Sequence, residues 1–187
     1  MGFFDKNIRK ISALNALLLL VALILRVSQY EKSANVVMKV DSVICIVAIT
    51  FGVFYCVKDY RKYSAHNYKI FMILYFISTL ISLVTNIYNG VINNALGFNI
   101  LLFKIICLGV IAVCTFLLAF GLNLGKNLSF KLAVISLVFS VIKIVLDLIT
   151  ADLAAGIIPG ISNLILSIIL CVFVYAKYLD KAARGTK

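Results

Sequence analysis

The chain has 187 residues, of which 64% are hydrophobic and only 13% charged, whereas a soluble domain is about 45–50% apolar and about 25% charged. Its formal net charge of +11 would point to nucleic acid in a soluble protein, but a mean hydropathy of +1.12 makes the distribution of those charges about a membrane the first question. A soluble enzyme and a nucleic-acid-binding domain are both excluded on these grounds.

A membrane-crossing helix needs about 20 mostly apolar residues. Six stretches qualify, at 11–30, 40–57, 70–88, 98–122, 132–149 and 157–178. The expected fold class is an all-α, polytopic membrane protein, a six-transmembrane-helix bundle that forms a single integral membrane domain over 1–187. Of the 18 Lys and Arg residues, 13 fall on one side of this arrangement, around Lys6 to Lys10, Lys58 to Lys69, Lys126 to Lys131 and Lys177 to Lys187. Cationic loops stay in the cytoplasm. A plasma-membrane protein with both termini cytoplasmic is the expectation.

The first stretch follows Lys6, Arg9 and Lys10 and so looks like a signal peptide, but no small-x-small cleavage site appears before Tyr30. A retained first helix is expected. Its polar residues are Ser12, Asn15 and Arg26, and the Ser12-x-x-x-Ala16 spacing lets a neighbouring helix approach closely. The second stretch aligns Asp41, Cys45, Ala48 and Gly52 on one face, a small-residue stripe that reads as a helix contact with an acid at its outer end.

Between the second and third stretches, Lys58, Arg61, Lys62 and Lys69 alternate with Tyr60, Tyr63 and Tyr68. Basic and aromatic residues flanking membrane spans are expected to hold the protein against anionic lipid headgroups. A cytoplasmic partner protein is the alternative, and nucleic acid is not expected. His66, the one histidine, reads as a solvated loop residue.

The third stretch carries Ser78, Ser82, Thr85 and Asn89 at i, i+4, i+7 and i+11, with Asn86 beside them, and leads into an uncharged segment at 88–99 rich in asparagine. Such a segment either hydrogen-bonds a polar solute or forms a plain extracellular turn. In the fourth stretch Lys104 interrupts the apolar run; either its side chain snorkels outward or the span starts at Ile105. Gly121-x-x-x-Gly125 near the other end reads as a close-packing signal.

The fifth stretch is the most informative. Ser136, Ser140, Lys143 and Asp147 lie at i, i+4, i+7 and i+11, one helical face, while every other residue from Leu132 to Ile149 is Leu, Ile, Val, Phe or Ala. A polar stripe on an otherwise apolar helix turns toward neighbouring helices or a water-filled cavity. Lys143 and Asp147 can pair directly, and two readings stay open: a self-satisfied ion pair, or a pair that also holds a solute. The sixth stretch places Asn163, Ser167 and Cys171 on one face behind Gly156, Pro159 and Gly160, either a simple helix start or a broken segment lining a cavity.

The five cysteines lie inside apolar stretches without CxxC spacing or a nearby histidine, so they read as small packing residues, with no metal site and no cofactor expected. The spans contain no nucleophile-base-metal constellation, and an enzyme is not expected. By this topology Arg26, Asp41, Thr85, Asn86, Asn89, Lys104, Lys143, Asp147 and Asn163 gather in the outer half. They are either the interfacial ends of helices or the lining of an outward-facing polar pocket. The pocket reading makes Lys143, Asp147, Ser140, Ser136, Asn86, Asn89, Thr85, Asp41 and Asn163 the candidate residues for binding a polar small-molecule solute. The expected function is solute binding or transport; the alternative is a channel-forming or structural homo-oligomer packed through small-xxx-small faces.

In length and topology the chain resembles the vitamin-binding S subunits of energy-coupling factor transporters. The resemblance is one of architecture. It implies a solute-binding role and a cytoplasmic ATPase as partner.

Overall fold

The computed structural model describes residues 3–33, 35–57, 60–93, 98–121, 124–150 and 157–184. They form six helices: α1 (Phe3–Lys32), α2 (Val36–Val57), α3 (Tyr60–Asn93), α4 (Phe98–Phe120), α5 (Lys126–Ile149) and α6 (Ile158–Arg184), with no strand among the described residues. All six are long and apolar enough to cross a membrane, over spans of 19–23 residues. At 1.5 Å per residue these lengths match a hydrocarbon core of about 30 Å. In that core no water is available to the backbone, so the hydrogen bonds must be made inside each segment.

Consecutive helices are neighbours, α1 closes the ring against α6, and α3 meets α6 across the middle. The bundle therefore has two lobes, α1-α2-α3-α6 and α3-α4-α5-α6, with α3 and α6 common to both. In α6, 61% of the span is buried, against 22–39% in the other five, which makes it the central helix. The upper end of the bundle is the one where α1 passes to α2, α3 to α4 and α5 to α6.

Toward the lower end the core is apolar and aromatic. Phe173 of α6 packs on Tyr55 at 4.4 Å and edge-on to Phe71 at 5.2 Å between ring centroids, and Leu19, Ala48, Ile49, Leu166 and Leu170 complete it. The small face of α2 is spent here. A Cβ at Gly52 would stand 3.2 Å from Leu19 and 3.3 Å from Phe71, so glycine permits α1 and α3 to close on α2. Large apolar side chains such as Ile24, Phe103, Val113 and Leu148 point outward, as they do on a surface that faces lipid.

Several expected boundaries shift. Tyr60 to Lys69, expected as a basic loop, is the first part of α3, and Tyr68 is a buried core residue. Lys69 is exposed; Lys58 and the side chains of Arg61, Lys62 and His66 lie outside the described residues. At 88–99 the loop is shorter than expected, because α3 runs to Asn93 and α4 begins at Phe98. Helix-forming residues continue past the apolar boundary, since the backbone ladder requires only continuity, not hydrophobicity.

The Gly121-x-x-x-Gly125 reading is overturned. α4 ends at Phe120 and α5 begins at Lys126, so the two glycines lie outside both helices instead of sharing a helix face. The Gly121 amide donates to Leu117 O at 2.7 Å, and a Cβ at Gly121 would collide with that same carbonyl. Gly125, in extended conformation before α5, has no neighbour within 4 Å of a Cβ position.

Candidate functional site

Polar side chains from all six helices meet in the upper half. Arg26, six residues from the end of α1, is completely buried. Its Nε donates to Ser162 Oγ at 2.9 Å, its Nη1 to Gln29 Oε1 at 2.8 Å and Asp41 Oδ2 at 2.9 Å, and its Nη2 to Asn163 Oδ1. The other carboxylate oxygen, Asp41 Oδ1, accepts from Ser78 Oγ at 2.6 Å. With the Ser78 proton committed to Asp41, the Cys45 thiol, 2.9 Å from Ser78 Oγ, is the donor of that contact. A buried guanidinium is tolerated only when its charge is matched and its donors are used. Asp41 matches the charge, and four of the five N–H donors are used.

Below this cluster a hydroxyl ladder crosses the shared helices. Tyr75 Oη lies 2.7 Å from Ser167 Oγ and 3.2 Å from the Asn163 carbonyl; Ser140 Oγ lies 2.7 Å from Ser167 Oγ and 2.9 Å from the Ser136 carbonyl. These four contacts share the three hydroxyl protons of Tyr75, Ser140 and Ser167, so more than one proton arrangement satisfies the ladder. Ser136 Oγ, buried one turn below Ser140, has no hydrogen-bond partner among the described residues.

The second charged cluster lies in the other lobe. Lys143 Nζ donates to Asp147 Oδ2 at 2.6 Å, one turn along α5, while Lys104 Nζ of α4 is 2.9 Å from Asp147 Oδ1 and donates to Thr150 Oγ1 at 2.8 Å. Gly160 faces this carboxylate: a Cβ there would stand 2.9 Å from Asp147 Oδ2. Asp147 thus sits against the first turn of α6, where the helix dipole favours negative charge. Pro159 in that turn costs no hydrogen bond, because the first amides of a helix have no partner within it. Gly156 lies outside the described residues, and 158–160 form a simple helix start.

The expectation that Lys104 snorkels outward or precedes the span is corrected. It is 4% exposed and buried with Lys143 (5%) and Asp147 (1%), because a carboxylate on the adjacent helix is a better partner than the distant interface. The pair read from α5 is therefore a triad of two lysines and one acid.

The structure brings Asp41, Asn163, Ser140, Lys143 and Asp147 into the network and leaves Ser136 buried beside it. Thr85 and Asn86 stand apart, each bonded to its own helix at Ile81 O and Ser82 O, both at 2.8 Å. They therefore satisfy themselves instead of lining a shared site. The Asn89 side chain lies outside the described residues. Sequence reasoning placed Arg26 and Lys104 in the outer half and Ser78 and Ser167 on polar stripes, without assigning any of the four to the site, and it missed Gln29, Tyr75 and Ser162. The signal available was an ionisable residue well inside an apolar run, which marks a functional position by default. Nor is the site an open pocket: Arg26, Asp41, Asn163 and the triad are all buried. Among the described residues no His, Cys, Asp and Glu side chains gather as a metal-binding set, and the cysteines form no disulfide.

Compared with protein-family models, curated proteins and solved structures, the chain matches none. The architectural likeness to S subunits rests on helix number and length alone. Any function must be argued from the side chains described above.

Proposed function

We propose that this multi-pass membrane protein is a solute-binding or transport protein of the plasma membrane, with cytoplasmic termini and the upper-half network as its solute site. One observation carries the reading: two charged clusters and a hydroxyl ladder are buried in the upper half of a bundle whose remaining core is apolar. Each buried ion carries a desolvation penalty of several kcal/mol, and an apolar core would hold six helices together without it. Charge inside a membrane bundle is characteristic of solute and ion pathways. In this reading the closed network is an occluded state that exchanges its internal contacts for a polar solute.

The basic lower end, including Lys58, Arg61, Lys62 and Lys69, would rest on anionic headgroups or meet a cytoplasmic partner such as an ATPase. The homo-oligomer alternative has less support. Ala48 and Gly52 are enclosed within one chain, and the glycines after α4 share no helix face.

The test is access to the ladder. With the native cysteines replaced, a Ser167→Cys variant in right-side-out and inverted vesicles should react with a membrane-impermeant thiol reagent from both faces. Protection from both faces, with the protein folded, would leave the network a structural element.

A further inference from the structure

The two clusters differ in charge. Arg26 and Asp41 cancel, whereas Lys104 and Lys143 share the single carboxylate of Asp147, which leaves one positive charge on that buried triad with no further acid beside it among the described residues. Hydrogen-bond counting agrees. Two ammonium groups offer six N–H donors, and the described partners are Asp147 Oδ1, Asp147 Oδ2 and Thr150 Oγ1, so three donors remain. Gly160, in the first turn of α6, brings the positive end of a helix dipole beside Asp147 Oδ2.

We propose that Lys104 and Lys143 form a binding site for a small monovalent anion, a deepening that rests on the reading of the network as a solute site. Charge decides the class. A monoanion brings the triad to neutrality and supplies lone pairs for the remaining donors; a dianion overshoots by one charge, a neutral solute leaves the excess in place, and a cation adds to it. Asp147 stays with the pair as its counter-ion and holds the two ammonium groups beside one another. Its attachment beside Gly160 keeps those groups assembled in the empty protein.

The experiment uses the full chain in detergent at fixed ionic strength, with sodium gluconate as a bulky reference and sodium chloride, acetate or sulfate substituted for it, reading the unfolding midpoint and calorimetric binding. Chloride or acetate should raise the midpoint saturably, and sulfate should bind about tenfold or more weakly; a response to chloride alone identifies a halide site, and one to acetate alone a carboxylate site. Lys143→Met and Lys104→Met each leave a matched lysine-acid pair, so both should fold and both should lose the response. Asp152 lies just after α5, outside the described residues, and supplies the decisive control. An Asp152→Asn variant that binds as the wild type does supports the site. An inert wild type with a responsive Asp152→Asn variant overturns it, because Asp152 is then the second counter-ion. An equal response in the wild type and both lysine variants overturns it as well. Two-sided labelling of Ser167→Cys without any anion response would sink this inference and leave the transport reading standing; an anion response without labelling would support the site and a solute-binding role and overturn transport.

Discussion

Lys104 Nζ of α4 lies 2.9 Å from Asp147 Oδ1 of α5, so Lys143 is not the only partner of that acid. The consequence for substitution is direct. Lys143→Met leaves the Lys104–Asp147 pair intact and should cost about 1 kcal/mol, whereas Asp147→Leu strands two buried ammonium groups and should cost roughly 3–5 kcal/mol. Replacing Lys143 and Asp147 together, the clean test if they paired only with each other, strands Lys104. Reversible unfolding in mixed micelles should rank the three variants in that way, and an Asp147→Leu protein as stable as the wild type would contradict the triad.

Arg26 ties α1 to α2 and α6 through one guanidinium. Arg26→Met leaves Asp41 buried with only Ser78 as a donor, at an expected cost of roughly 3–5 kcal/mol. Adding Asp41→Leu removes the stranded charge and should recover much of the loss. Arg26→Lys should fall between, since a lysine cannot present a planar fork to Ser162, Asp41 and Asn163 together. A double-mutant cycle on Arg26 and Asp41 measures the coupling; additive losses would show that the pair does not act as a unit.

Ser136 has a buried hydroxyl with no partner among the described residues, so Ser136→Ala removes a desolvated group without breaking a bond and should stabilise the protein by roughly 1 kcal/mol. Ser140→Ala and Ser167→Ala instead interrupt the ladder and should destabilise it by a similar amount. If the network binds a solute, Ser136→Ala should also weaken that binding while raising the unfolding midpoint. Stabilisation with unchanged binding would remove Ser136 from the site.

Alanine substitutions at glycine should sort by what a Cβ meets. Gly109→Ala and Gly125→Ala find nothing within 4 Å and should be neutral, or stabilising by up to about 1 kcal/mol within a helix. Gly160→Ala presses on Asp147 Oδ2 at 2.9 Å, and Gly52→Ala meets Leu19 and Phe71 at 3.2 and 3.3 Å; overpacking of this kind costs roughly 1–3 kcal/mol. Only Gly160→Ala should also disturb the triad. Anion binding that survives it unchanged would place Asp147 outside the site.

The charge asymmetry of the loops sets the expected orientation. Reporters at Lys187 and near His66 should be cytoplasmic, and one at Asn93 external. Labelling intact cells with an impermeant reagent checks this, and modification near His66 from outside would invert the proposed topology.

Local information in the chain determined the class of this protein. The apolar runs, the i, i+4, i+7, i+11 stripe of α5 and the i, i+4 spacing of Lys143 and Asp147 are properties of one segment each, and a single helix carries them wherever it sits. Helix ends were less legible: α5 begins at Lys126 and α3 at Tyr60, well outside their apolar cores, because hydropathy reports what lipid accepts and not where the backbone ladder stops. The glycines after α4 could be read as a packing face only by assuming that the helix continued through them.

What only the tertiary structure decided is who neighbours whom. Closure of the ring brings α1 to α6 and so Arg26 to Ser162 and Asn163; the α4–α5 contact adds Lys104 to a pair that was complete on one helix; the α3–α6 contact links Tyr75 to Ser167. Thr85 and Asn86 share the period of Ser78, yet they bond to their own helix, because a hydroxyl or amide on a helix always has the carbonyl one turn back within reach. Lysine and arginine carry a charge that a carbonyl does not neutralise; Lys143 finds its acid on its own helix, but Arg26 and Lys104 find theirs only on a neighbouring one. Their partners are therefore set by helix packing, and periodicity within one segment contains no information about which segment lies beside it.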